Sequence, residues 1–378
     1  MQREGGHNDV SNLEAGLARL HGLERILEAA GDAPAYLVGG AVRDLLLGRT
    51  DRADIDVVVE GDIAPIVESL GSEARSHERF GTATVRVGDV VADLAAARSE
   101  SYAHPGALPE IRPATLEADL ARRDFTINAM AIPLAGEPHL IDPHGGRADL
   151  EARAIRVLHD YSFVDDPTRV IRAARYVTRL GFELNPETAR LAREADLGTV
   201  SADRREAELL RLAAEPNPRW GFDLLDELGV VALDEQSGEL IDIVVALLSE
   251  PPWSGVTDQA PAVLAAARGE LGKAPQLASR TPERPSEGVS LARPASGIDL
   301  ILARALGAKW LDDYVGEWRH VGLEITGQDL ITAGVPEGPA LGRGLKTALA
   351  RKLDGEIAGR EAELSAALEA AREGPGAT

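Results

Sequence analysis

The sequence predicts an α+β domain followed by an all-helical remainder, and three observations carry that prediction. Short apolar runs at residues 36–38, 55–59 and 84–87 alternate with turn residues up to about residue 158. Beyond residue 160 the apolar positions switch to helical spacing, most clearly over 166–180 and 204–214. Aromatic residues are 4% of the chain against 44% hydrophobic, so the interior must be built from Leu, Val, Ile and Ala, which favours helices over a β-sandwich. At 378 residues the chain exceeds what one core usually serves, and two or more domains follow.

In chain order, Ser11-Asn12-Leu13-Glu14 reads as a capping box opening a helix. Leu13, Leu17, Leu20 and Leu27 share one face of it, and Gly31 ends it. The run Tyr36-Leu37-Val38 predicts a strand that passes through Gly39-Gly40 into a helix. The runs 55–59, 84–87 and 90–94 predict further strands, the last interrupted by Asp93. In the second half Gly181, Pro186, Pro216 and Pro218 separate helices. Prolines recur from Pro251 to Pro294, which predicts a loop-rich, partly mobile segment. Residues 341–371 again have helical periodicity, and Gly374-Pro375-Gly376 predicts a disordered end.

Composition narrows the function classes. The absence of cysteine excludes disulfides, thiolate zinc sites and cysteine nucleophiles, and fits a reducing compartment. MQREGGHNDV has no apolar run suited to a signal peptide, and no later stretch approaches the ~20 apolar residues of a membrane span, so a soluble cytoplasmic protein is expected. The net charge of -22 argues against a nucleic-acid ligand, since phosphate binding normally rests on a basic footprint. That objection is softened because charges act over only ~8 Å at physiological salt, so a local arginine groove can dominate inside an acidic shell. Apart from Lys273, Lys309, Lys346 and Lys352 the cations are arginines, which suit bidentate phosphate and base contacts. The histidines show no metal-ligand spacing.

Chemistry concentrates at the strand–glycine–helix joint, where Gly39 and Gly40 let the backbone approach a phosphate and Arg43 adds a guanidinium. It is not a Walker loop, because no Gly-Lys-Ser/Thr follows, and it lacks the spacing of a dinucleotide fingerprint. Asp54-Ile55-Asp56 then opens the strand 55–59, and residues two apart in a strand face the same way. Carboxylates held that close repel unless a cation lies between them, and hard oxygen ligands beside a phosphate corner point to Mg²⁺. Asp93 is a candidate third carboxylate.

Gly39-Gly40-x-x-Arg43-Asp44 followed by Asp54-x-Asp56 resembles the head of class II CCA-adding enzymes and bacterial poly(A) polymerases, members of the DNA polymerase beta-like nucleotidyltransferase superfamily. Further segments match in the family's order. Residues 98–109, with Arg98-Ser99-Glu100, Tyr102 and Pro105-Gly106-Ala107-Leu108-Pro109, resemble its flexible loop. Arg122-Arg123-Asp124-Phe125-Thr126-Ile127-Asn128-Ala129-Met130 resembles its ribose-recognition motif and is close to diagnostic alone, whereas Asp-x-Asp is weak. Asp142-Pro143 with Gly145-Gly146 and Asp149-Leu150 resembles the hinge to the neck. Asp165-Asp166-Pro167-Thr168-Arg169, continuing to Arg172 and Arg175, resembles the neck motif that reads the incoming base, with Asp165 where the family usually has Glu. Ile325-Thr326-Gly327-Gln328-Asp329-Leu330 resembles the family's C-terminal segment, while residues 234–318 hardly match.

The resemblance implies a polymerase-beta-like head over residues 1–158, a helical neck over 159–232, a body over 233–318 and a tRNA-binding tail over 319–378. It implies addition of CMP and AMP from CTP and ATP to the tRNA 3′ end, with pyrophosphate released. In that scheme Asp54 and Asp56 hold Mg²⁺, Gly39, Gly40 and Arg43 hold the triphosphate, Arg123, Asp124 and Asn128 the ribose, and Asp166 with Arg169 the base. Asp166, Arg169, Arg172 and Arg175 are spaced by three, which predicts a ridge on one helix face. The alternatives are an enzyme that adds only CC or only A, and a poly(A) polymerase, which would be expected to carry a basic C-terminal extension. A non-catalytic RNA-binding protein is more distant, because the acidic pair is intact.

Overall fold

The computed structural model describes residues 13–18, 20, 23–49, 55–77, 81–87 and 90–372. These form two compact units, Met1–Glu208 with Glu227–Val230, and Leu209–Asp226 with Val231–Thr378.

The first unit is built on a six-stranded sheet of order β3-β4-β5-β2-β1-β8. Its strands are β1 (Ala35–Val38), β2 (Ile55–Val59), β3 (Ala74–His77), β4 (Thr82–Val87), β5 (Val90–Ala96) and β8 (Ala131–Pro133). β2 runs parallel to β5, and the other pairings are antiparallel. β2 lies inside the sheet and buries Ile55, Val57, Val58 and Val59, so its sequence is almost continuously apolar and Asp56 is its single polar residue. A separate hairpin of β6 (Arg98–Ser101) and β7 (Glu110–Pro113) carries the segment 102–109 at its tip.

The expected single N-terminal helix is two pieces, one over 13–17 and one at Leu23–Ala30, closed by Gly31 at φ 55°. Ser11 and Asn12, the expected cap, lie outside the described residues. The helix expected over 166–180 also starts later, at Arg169–Leu180, after a one-turn helix at Ser162–Asp165. Asp166 sits between them with φ -136° and ψ 92°. Pro167 explains this, because its ring disfavours helical geometry in the residue before it.

The second unit is helical. The proline-bearing segment expected to be loop-rich instead folds into the helices Gln259–Ala267, Ala274–Ala278 and Pro285–Ala292, which bury Val263, Leu264, Leu277 and Val289. Pro275 and Pro285 fall at first-turn positions, where the missing N–H has no intrahelical partner to lose. Near the C-terminus Pro339–Leu353 packs on Arg360–Arg372 around Leu330, Ala348 and Ala367. Gly344 permits that approach, since a Cβ there would stand 2.6 Å from the Ala367 carbonyl oxygen. Glu363 is fully buried and neutralised by Lys352 Nζ at 2.6 Å. Residues 373–378, including the expected disordered end, lie outside the described residues.

Candidate active site

The glycine corner forms as expected: β1 ends at Val38, Gly39 turns the chain with φ 68° and ψ -130°, and the helix Gly40–Leu46 begins. The backbone at Gly39 demands glycine, and the space a side chain would take there holds the end of Arg123. The positive φ disfavours any side chain, and a Cβ would lie 2.6 Å from Arg123 Nη1 and 3.6 Å from Asp56 Oδ2. Arg123 and Asp56 therefore converge on one point above the corner. Arg43 does not join them. It is 3% exposed and turned inward, with Nη1 donating to Asn128 Oδ1 at 2.7 Å, Nε and Nη2 donating to Asp44, and its guanidinium 5.3 Å from the Tyr176 ring centre. In this arrangement Nε, Nη1 and Nη2 of Arg43 each donate to Asp44 or Asn128, so the side chain braces the corner from within.

Asp54 lies outside the described residues. Asp56 is aligned with Asp93 across β2 and β5, and Asp93 Oδ1 accepts from Thr84 Oγ1 at 3.0 Å. Among the described residues no group of three or more His, Cys, Asp or Glu is placed to hold a metal ion. The register-paired carboxylates of Asp56 and Asp93 are hard oxygen donors, and the chain has no thiolate, so the donor set fits a divalent cation such as Mg²⁺.

Asp119, missed in the sequence, aims Arg123. It is fully buried in the helix Leu116–Ala121 and takes Arg123 through Nε at 3.2 Å and Nη2 at 2.9 Å, and Arg122 through Nη2 at 2.6 Å. Burial pushes its carboxyl up, but the two guanidinium groups outweigh burial and hold it below the usual carboxylate range. The available signal was its spacing: three and four residues before Arg122 and Arg123, it shares their face of the chain. Arg122 also pairs with Glu100 at 2.9 Å, which accepts from the Tyr102 hydroxyl. Burial and then the Glu100 charge push that phenol up to about 12.

Asp124, Asn128 and Arg172 form one buried network. Asp124 Oδ1 accepts from Asn128 Nδ2 at 2.9 Å and from the Phe125 N–H, and Oδ2 accepts Arg172 through Nε and Nη2. Burial alone would raise the Asp124 pKa, yet Arg172 and the hydrogen bonds hold it at about 2. The predicted ridge is only partly realised. Arg169, Arg172 and Arg175 lie on the helix Arg169–Leu180, but Asp166 does not. The three guanidinium groups also face the protein. Arg169 donates to Ser162 Oγ at 2.7 Å and to the Arg122 carbonyl at 2.8 Å, while Arg172 and Arg175 reach Glu208 at 3.7 and 3.1 Å. Glu208 was not singled out in the sequence, because it stands 33 residues from Arg175 and only the fold joins them.

The head-domain model of poly(A) polymerase matches residues 35–156. An A-adding tRNA nucleotidyltransferase of Halalkalibacterium halodurans is 44% identical over 208 residues, covering 52% of this chain and 48% of the relative. A CC-adding tRNA nucleotidyltransferase of Deinococcus radiodurans is 37% identical over 354 residues, covering 89% of this chain and 90% of the relative. The matches thus span about half the length of the first relative and nearly all of the second. The solved structure of a Thermotoga maritima CCA-adding enzyme complexed with tRNA superposes with TM-score 0.73 at 29% identity, covering 96% of this chain and 98% of that one. The glycine corner, the carboxylate-bearing strands and the Arg123-Asp124-Asn128 cluster thus lie in a chain with a near full-length relative, and the chain belongs to the class II tRNA nucleotidyltransferase family.

Proposed function

We propose that the protein adds CMP and AMP, from CTP and ATP, to the 3′ end of tRNA without a nucleic-acid template. The observation that carries this reading is the convergence of Asp56 and Arg123 above Gly39, with Asp93 in register beside Asp56. Such a point brings oxygen ligands and a guanidinium together at a glycine corner. The 3′-hydroxyl of the tRNA attacks the α-phosphorus in line, and pyrophosphate leaves. The family uses a divalent metal ion. Mg²⁺ held by Asp54 and Asp56, with Asp93 alongside, would lower the pKa of the attacking hydroxyl and neutralise the leaving oxygens.

The remaining work falls to the chain's own groups. Gly39 and Gly40, having no side chains, let the phosphates approach the backbone, and Arg123, fixed by Asp119, supplies positive charge there. Asp124 and Asn128 form the ribose side, braced by Arg43 and Arg172. Asp166 accepts from the exocyclic amino group of C or A, and Arg169, which has N–H donors beyond the two given to Ser162 and the Arg122 carbonyl, donates to the adjacent ring nitrogen. U and G present the reverse order, so charged groups would be left unpaired at a cost of several kcal/mol. The four-part division into head, neck, body and tail remains our reading, with the helical parts gripping the acceptor arm by shape and backbone. A soluble, cytoplasmic enzyme fits this role; among the described residues no helix is long and apolar enough to cross a membrane.

A second reading, addition of CC alone or of A alone, is favoured by the specialised relatives in Halalkalibacterium halodurans and Deinococcus radiodurans. Three tRNAs, ending before CCA, in C and in CC, each incubated with CTP or ATP separately, decide between them. Full CCA addition requires CMP on the first two and AMP on the third. Failure with ATP on the CC-ended tRNA assigns CC addition, and failure with CTP on the first two assigns A addition. No incorporation on any tRNA refutes the proposal.

A further inference from the structure

We infer that Arg204 is a positioning residue that latches the segment 102–109 to Asp166 and thereby fixes which oxygen of Asp166 faces the nucleotide. The inference rests on the reading of Asp166 as the base acceptor. Arg204 lies in the first turn of the helix Ala202–Ala213, where a cation opposes the helix dipole and gains nothing from local structure. Its planar fork spends two donors in different directions. Nη1 donates to the Gly106 carbonyl at 2.9 Å, and Nη2 donates to Asp166 Oδ1 at 3.0 Å. These partners lie 98 and 38 residues away in sequence, so only the fold brings them to one guanidinium.

The segment is held at the same place by two further contacts. The Gly106 N–H donates to the Val164 carbonyl at 3.2 Å. Gly106 itself, at φ +70°, packs so closely on Thr199 that a Cβ would stand 2.6 Å from Oγ1 and 2.8 Å from the carbonyl oxygen. The turn therefore sits flush against the residues just before Asp166 and just before Arg204.

The consequence for Asp166 is an asymmetry between its oxygens. Oδ1 accepts from the Thr168 N–H at 3.0 Å, the Thr168 hydroxyl at 2.6 Å and Arg204 Nη2 at 3.0 Å, and Oδ2 takes none of these. An N–H and a guanidinium can only donate. An amide placed at position 166 must therefore turn its oxygen toward them and its NH₂ to where Oδ2 stood, since the reverse would leave two donors facing a third. Asp166→Asn would then present a donor to the base, matching the exocyclic oxygen of U or G. Arg204 adds a second obligate donor to that of the Thr168 N–H and so makes that orientation firmer. Lysine could not replace it, because an ammonium is a point charge and cannot span the Gly106 carbonyl and Asp166 in one fixed plane.

The test uses the full chain as wild type, Arg204→Met, Arg204→Lys, Asp166→Asn and the double variant Asp166→Asn with Arg204→Met, with circular dichroism and Tm confirming that each folds. Hydrogen exchange of the peptide 102–109 and kcat/KM for UTP and CTP on one tRNA are measured. In Arg204→Met the peptide should exchange about tenfold faster, with Arg204→Lys between it and wild type. Asp166→Asn should shift the UTP/CTP ratio about tenfold toward UTP, and adding Arg204→Met should return a measurable part of that shift, the Thr168 N–H retaining the rest. Unchanged exchange in Arg204→Met, or equal ratios in Asp166→Asn and the double variant, overturns the latch. If Asp166→Asn alone keeps the wild-type ratio, it is the base-reading role of Asp166 that fails, and the exchange measurement still decides whether Arg204 holds the loop.

Discussion

Asp56 on β2 and Asp93 on β5 stand directly opposite each other in parallel register. At that spacing, about 5 Å between strands, both carboxylates leave the same face of the sheet, where a divalent cation would find two hard oxygen donors. Asp56→Asn should lower kcat by about a thousandfold or more, and Asp54→Asn, outside the described residues, should do the same. Asp93→Asn should cost less, because its carboxylate is also committed to Thr84. Near wild-type kcat in both Asp54→Asn and Asp56→Asn would refute the metal assignment.

Gly39→Ala tests the corner. Its Cβ would need a positive φ and would meet Arg123 Nη1 at 2.6 Å, so either the backbone strains or Arg123 leaves its place. The expected loss is about 1–2 kcal/mol of stability, seen as a lower Tm, together with a larger fall in kcat. Gly61→Ala, also at positive φ but with nothing within 4 Å, serves as the control for strain alone. Equal kcat in the two variants would show that the approach of Arg123 does not matter.

Asp124 has a pH signature. It ionises at about 2 in the folded protein and near 4 in an unfolded chain, so it stabilises the fold fully above pH 4. That contribution, on the order of 2 kcal/mol, disappears as pH falls through about 2. The stability gap between wild type and Asp124→Asn should be constant above pH 5 and shrink between pH 4 and 2 in urea titrations. A gap independent of pH throughout that range would contradict the Arg172 pairing as its source.

RNA binding should be sensitive to salt yet selective. A net charge of -22 leaves no general polyanion-binding surface and confines contact to local arginines. The affinity for tRNA should fall steeply with salt, while unstructured RNA of the same length should bind at least about tenfold more weakly. Equal affinity for both, or a flat salt slope for tRNA, would count against this picture.

Much of the candidate site's local geometry was legible in the sequence because its parts are local. The strand–glycine–helix corner needs only an apolar run and Gly39, whose positive φ follows from the turn itself. The Arg-Arg-Asp motif was legible through its resemblance to the family, Arg169, Arg172 and Arg175 through their regular spacing, and β2 through its continuous apolar run interrupted by Asp56. The proline-rich segment misled, because proline's effect depends on whether it falls in the first turn of a helix or inside it, which residue order alone did not reveal.

What only the tertiary structure decided is the direction in which each charged group spends its hydrogen bonds. Arg43, Arg172 and Arg175 looked from the sequence like ligands for an anion, yet each meets an internal partner, Asn128, Asp124 or Glu208. Asp119, Arg204 and Glu208 carried no motif of their own, although Asp119 aims Arg123 and Arg204 joins the Gly106 turn to Asp166. A side chain's chemical type is written at its position, so sequence alone could name the kinds of group the candidate site offers. Whether a guanidinium faces solvent, substrate or a buried carboxylate depends on segments tens of residues away, and burial makes that choice binding because an unpaired charge in the interior is too costly to leave.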